Sequence, residues 1–151
     1  MGEVIELFNN LKSVKVDTAT ISARDLLSPE YSGINKFFKD KRLWTKEQKI
    51  NFIESLFFGI FEQKLFIYED RKKERFIIDG YNRIKTIKEF LNDDFVLEGL
   101  SQFHWQYNGK VYSRLKVFMQ NQVAYYPFTI NKITRINSEE NLKHLYINLN
   151  T

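Results

Sequence analysis

Phe76-Ile-Ile-Asp-Gly-Tyr-Asn-Arg-Ile-Lys-Thr-Ile87 is the stretch on which the reading of this chain turns. Phe76, Ile77 and Ile78 are strand formers and predict a strand that delivers Asp79 at its end. Gly80 permits a backbone turn that a Cβ would hinder. Ile84, Ile87 and Leu91 then recur at helical spacing, so a helix is predicted from about Tyr81 to about Leu91, closed by Asn92-Asp-Asp94. A helix N-terminus offers N–H groups with no partner in the preceding turn, together with the positive end of the helix dipole. That is the chemistry of an anion site. Arg83 in the first turn adds a planar fork that matches phosphate oxygens. Asp79 at this place can ligate a phosphate-bound metal ion, accept a proton from water, or cap the helix. A plainer reading stands beside this one. Asp-Gly is a common turn, an Asp at a helix start is commonly a cap, and an Arg three residues after Gly is commonly solvated.

Working back from this stretch, Leu65-Phe-Ile-Tyr68 reads as a strand that forms a hairpin with Arg75-Phe-Ile-Ile78. The charged run Glu69 to Arg75 is balanced in sign and reads as a solvated loop. Thr45-Lys-Glu-Gln48 is a capping box: the Thr hydroxyl accepts from the third helical N–H while Gln reaches back. Ile50, Ile53, Leu56, Phe57 and Ile60 follow at helical spacing, with Gly59 near the end. Leading up to that helix and into its first turn, Lys36, Lys39, Lys41, Arg42, Lys46 and Lys49 are interleaved with Phe37, Phe38 and Trp44. Such a segment can contact a phosphate backbone and stack on bases, with Lys41, Arg42 and Trp44 as the candidate nucleic-acid-binding residues. It can equally be a solvated face over core aromatics. Nearer the start, Val4 to Leu11 reads as a short amphipathic helix and Ser13 to Asp17 as a strand. Thr20 to Leu27 reads as a strand end followed by a helical turn, and Ser28-Pro-Glu and Ser32-Gly33 break the pattern.

Working forward, Asn108-Gly109 between the aromatics of Phe103 to Tyr112 is the strongest short hairpin signal in the chain. Phe103-His-Trp-Gln-Tyr107 reads either as packing of that hairpin or as a platform for a base or partner. Arg114 to Gln122 reads as a helix, Phe128 to Ile133 as a strand, and Ser138-Glu-Glu opens a last helix. Lys132 and Arg135 are candidates to approach the Asp79–Arg83 site. The sum is an α+β fold, a mixed sheet with packed helices, in one domain over residues 1–151.

Composition narrows the function classes. Apolar residues make up 43% and aromatic residues 16%, which is enough for a real core. The formal charge is +4, from 23 Lys and Arg against 19 Asp and Glu, an excess compatible with a nucleic-acid or nucleotide partner but shared by many other proteins. There is no cysteine, which excludes disulfides, thiolate metal sites and cysteine nucleophiles. His104 and His144 are far apart and lack metal-ligand spacing, so no metal-ligating residues are assigned. No window reaches the ~18 uninterrupted apolar residues of a membrane span. Met1-Gly-Glu-Val-Ile-Glu lacks the order of a secretory signal, so no membrane association and a cytoplasmic location are expected.

The order of these segments resembles the ParB/sulfiredoxin-like superfamily, specifically the N-terminal domain of GmrSD-type restriction endonucleases. That family carries a helix with a Ser-Ile/Leu-x-x-Gly ending, an apolar strand, and a strand closing in Asp-Gly-Gln-Gln-Arg. Ile53-Glu-Ser-Leu-Phe-Phe-Gly-Ile60, Leu65 to Tyr68 and Asp79-Gly-Tyr-Asn-Arg83 correspond, the last at Asp, Gly and Arg. Arg42-Leu43-Trp44 keeps half of a family segment before the first helix, and Leu145-Tyr-Ile-Asn-Leu-Asn-Thr151 resembles the opening of a later one. The resemblance implies a ParB/sulfiredoxin-like mixed sheet with a nucleoside triphosphate and Mg²⁺ as cofactors. It implies DNA as a partner, a role in restriction of foreign DNA, and an additional domain or partner nuclease. It places nucleotide binding at Gly80, Tyr81, Asn82 and Arg83 and any catalysis at Asp79 and Arg83. Tyr81 and Asn82 replace the family's two glutamines, and Lys39-Asp40 stands where the family has Gln-Arg. These departures favour binding over hydrolysis, which needs a positioned water as well as a held phosphate. The family segment is matched only as far as Thr151, so a fragment of a longer protein or a small degenerate relative is expected.

Overall fold

The computed structural model describes residues 15–32, 35–36, 43–99, 107–135 and 143–144. Among the described residues five strands form one mixed sheet: β1 (Lys15–Ser22), β2 (Asn35–Lys36), β3 (Gln63–Glu69), β4 (Arg75–Asp79) and β5 (Pro127–Arg135), in the order β1-β5-β3-β4-β2. β3 and β4 are the predicted antiparallel hairpin, and β5 inserts between β1 and β3, antiparallel to the first and parallel to the second. The helices are α1 (Pro29–Ser32), α2 (Lys46–Phe58), α3 (Tyr81–Leu91) and α4 (Val117–Ala124).

The capping box of α2 forms as the sequence requires. Thr45 Oγ1 accepts from the Gln48 N–H at 3.2 Å, and Gln48 Oε1 accepts from the Thr45 N–H at 2.8 Å. Gly59, in the left-handed region with φ +71°, ends the helix. Ile50, Phe52, Ile53 and Leu56 are buried, each contributing roughly 1.5–3 kcal/mol by leaving water. Ile60 falls beyond the Gly59 stop and is 77% exposed, so the apolar spacing that included it outran the helix. On α3, Ile84, Ile87 and Phe90 are buried, while Leu91 is only partly so. α2 and α3 share the main core with Leu65, Ile67, Ile77, Phe128 and Ile130 of the sheet.

Several expectations are corrected. Glu69 is not part of a solvated loop: it closes β3 at 6% exposure, and the turn proper is Asp70 to Glu74, with Asp70 Oδ1 accepting from the Lys72 and Glu74 N–H groups. Arg75, its neighbour across the pairing, donates from Nε to Glu69 Oε2 at 3.0 Å. The break expected at Ser28-Pro-Glu carries the single helical turn of α1, with Pro29 first, where its missing N–H costs nothing. After Gly109 the chain makes one antiparallel bridge, Leu97 to Lys110, and then a 3₁₀ turn at Tyr112–Arg114 rather than a strand. That turn delays the next helix, which starts at Val117 instead of Arg114. The N-terminal helix expected at Val4 to Leu11, residues 103–106 of the aromatic platform and all but 143–144 of the last helix lie outside the described residues.

Candidate functional site

The junction of β4 and α3 is the strand–Gly–helix unit read from the sequence. Gly80 has φ +116°, a conformation side chains rarely adopt, and a Cβ there would lie 2.2 Å from Leu65 Cδ2. Glycine is therefore demanded twice, by the turn and by β3 passing beneath it. The first α3 hydrogen bond beyond the turn runs from the Ile84 N–H to the Gly80 carbonyl at 2.9 Å.

Asp79 and Arg83 meet across this turn. Arg83 Nη2 donates to Asp79 Oδ2 at 3.2 Å, and Nη1 donates to Gln63 Oε1 at 3.0 Å. Both members of the ion pair are mostly buried, with 19% and 25% of the Arg83 and Asp79 side chains exposed. Burial pushes the Asp79 carboxyl above its ordinary value, and the charge and hydrogen bond of Arg83 pull it back only in part. Burial likewise lowers the Arg83 guanidinium, opposed by Asp79. Two donors of the fork are thus fixed by protein acceptors and the guanidinium is held in one place. Gln63, which sequence reasoning did not single out, supplies half of that hold. A polar residue opening a strand gives no local signal of a partner 20 residues away.

The other signature residues do not converge on Arg83. Asn82 Oδ1 accepts from the Trp44 N–H at 3.1 Å and so ties the start of α2 to the first turn of α3. Tyr81 packs against the core and lines a hollow of about 620 Å³ together with Tyr31, Lys85 and Lys88. In that hollow Lys88 donates to the Tyr31 carbonyl at 3.0 Å, and burial lowers its ammonium pKa. Trp44 is half-buried, its ring 5.4 Å from that of Phe52, so it serves the core edge rather than standing clear as a stacking platform. Lys41 and Arg42 lie outside the described residues. Lys132 lies 3.9 Å from Glu69, in the charge cluster with Arg75 and Lys73, and not with Asp79. Arg135 ends β5, and its side chain is not among those described.

A second hollow adjoins the Arg83 hold. It has a volume of about 670 Å³ between the loop after α2, α4 and the start of β5, and Gln63 forms part of its wall. Among the described residues no three His, Asp or Glu side chains come together as a metal site would need, and no helix is long and apolar enough to cross a membrane. Comparison with protein-family models, curated proteins and solved structures finds no match to this chain.

Proposed function

We propose that this chain is a nucleotide-binding domain of the ParB/sulfiredoxin-like kind that takes nucleotide phosphate at Gly80 to Arg83 and serves a DNA-directed defence system. One observation carries the reading: a strand delivers a left-handed glycine to the N-terminus of an eleven-residue helix, with a guanidinium already oriented in its first turn. Fixing the fork before the ligand arrives lowers the ordering cost of binding.

The same geometry favours binding over hydrolysis. Asp79 is engaged with Arg83, so its role is to position the guanidinium rather than to activate water. A phosphate approaching Arg83 replaces Gln63 as acceptor or uses the remaining N–H groups of the fork. The resemblance that suggests Mg²⁺ and a nuclease partner adds a DNA-side role, which the segment around Lys41 and Arg42 would carry.

Calorimetry with ATP, GTP and CTP, each with Mg²⁺, tests the reading. Wild type is expected to bind at least one of them, and Arg83→Ala is expected to lose it while keeping its circular dichroism spectrum. Absence of heat from wild type with all three would defeat the proposal. Phosphate release that disappears in Asp79→Asn would overturn the binding-only part and restore Asp79 as a catalytic residue.

A further inference from the structure

Among the described residues nine large apolar side chains are exposed, and four of them, Ile60, Phe61, Phe118 and Tyr125, line the single hollow of about 670 Å³ beside Gln63. Their exposures are 77%, 47%, 67% and 57%. Apolar surface gathered in this way is unfavourable in water and marks an interaction site.

We infer that this groove receives the base and sugar of the nucleotide whose phosphates are held at Arg83; the inference rests on the phosphate reading above. Three observations support it. The first is continuity: Gln63, whose side chain accepts from Arg83 Nη1, is also one of the residues lining the groove, so the two regions share a residue. The second is lining chemistry. Aromatic rings stack on the face of any base, and the amides of Asn121 and Gln122 beside them both donate and accept, as the edge of a base requires. The third is construction. Gln122 Nε2 donates to the Leu56 carbonyl at 3.1 Å, and the Tyr126 hydroxyl donates to the Phe61 carbonyl, so the loop after α2 is held against α4 and β5. Gly59 lets these segments approach, since a Cβ there would stand 3.0 Å from Gln122 Nε2.

The volume lies within the ~300–1,000 Å³ range of small-ligand sites. The rim charges do not select a charged peptide, because Glu62 and Lys64 lie 3.6 Å apart and offset each other. The charge selection of the combined site falls to Arg83.

The test compares two ligands on the full chain by calorimetry: a nucleoside triphosphate and inorganic tripolyphosphate, which carries the phosphates without a base. Phe118→Ala and Tyr125→Ala remove exposed rings, so thermal melting is expected to match wild type. The nucleotide is expected to bind wild type more tightly than tripolyphosphate. Each ring deletion is expected to weaken the nucleotide about tenfold, the size of one lost stacking contact, and to leave tripolyphosphate unchanged. Equal affinity for the two ligands with indifferent ring variants would overturn the groove assignment and leave the Arg83 site standing. Wild type that binds neither ligand would overturn both.

Discussion

The Trp44 backbone N–H donates to Asn82 Oδ1 at 3.1 Å, joining the entry of α2 to the first turn of α3 across 38 residues. It gives Asn82 a structural task at a position where the resembled family carries a glutamine. A longer amide would have to retract to keep the same donor. Asn82→Ala is expected to lower stability by about 1–2 kcal/mol, since it leaves a half-buried N–H without its acceptor. Urea denaturation would measure it, and Asn82→Gln is expected to fall between the two. An unchanged midpoint for Asn82→Ala would show the tie to be dispensable.

Gly80 is expected to be the least replaceable residue of the site. Gly80→Ala imposes a Cβ on φ +116° and drives it into Leu65, two costs that together come to about 2–4 kcal/mol. Shortening the obstacle in Gly80→Ala/Leu65→Ala removes the clash and leaves the backbone strain. The double variant is therefore expected to lose less than the sum of the two single losses, and a double-mutant cycle in denaturant would show the coupling.

Glu69 and Asp79 lie at opposite ends of the β3–β4 pairing, where Glu69 faces Arg75 and Asp79 faces Phe66. Their acid responses have opposite signs. Burial raises the Glu69 carboxyl, but the Arg75 hydrogen bond and the charges of Lys132, Arg75 and Lys73 outweigh it and hold the group below 4.5. Its stabilisation is present above 4.5 and is lost as pH falls through the lowered folded value. Asp79 is held above 3.8 by burial, partly offset by Arg83. Its contribution is present below 3.8 and is lost as pH rises through the raised folded value. Between about pH 6 and about pH 3, Glu69→Gln is expected to flatten the loss of stability on acidification, and Asp79→Asn to steepen it. Denaturation midpoints across that range would read both slopes.

Thr86 is fully buried on α3, and its hydroxyl has no hydrogen-bond partner among the described residues. Valine has nearly the same shape without the stranded polar atom. Thr86→Val is expected to stabilise the protein by about 1 kcal/mol, seen as a raised melting temperature. A lowered one would reveal a partner for the hydroxyl.

The features legible in the sequence are those written in neighbouring residues. The capping box at Thr45 and Gln48, the Gly59 stop, the hairpin of β3 and β4 and the helix start after Gly80 all depend on contacts within a few positions. The features that escaped are long-range. Gln63 reaches Arg83 because the start of β3 lies beside the end of β4, which hairpin pairing permits but no residue at 61–64 announces. Glu69 belongs in composition with the charged turn that follows it, yet it is buried, with Arg75 and Lys132 from two strands and Lys73 from the turn converging on it. Tyr112 sits after a strong Asn-Gly turn signal, but the chain there bridges to Leu97 and coils into a 3₁₀ turn instead. Within the candidate site, Asp79, Gly80 and Arg83 were readable as a unit. The divergence of Tyr81 and Asn82 away from Arg83 was not, because adjacent positions on a helix face different neighbours.

The strand order also sets a timetable. β5, latest of the five along the chain, is the strand that joins β1 to β3. As the polypeptide leaves the ribosome, the β3–β4 hairpin and α3 can assemble from neighbouring residues, whereas β1 must wait for more than 100 residues to be synthesised before its partner exists. Until then β1 and the β5-facing side of β3 carry open backbone edges, the condition in which a nascent chain is most apt to pair with the wrong neighbour.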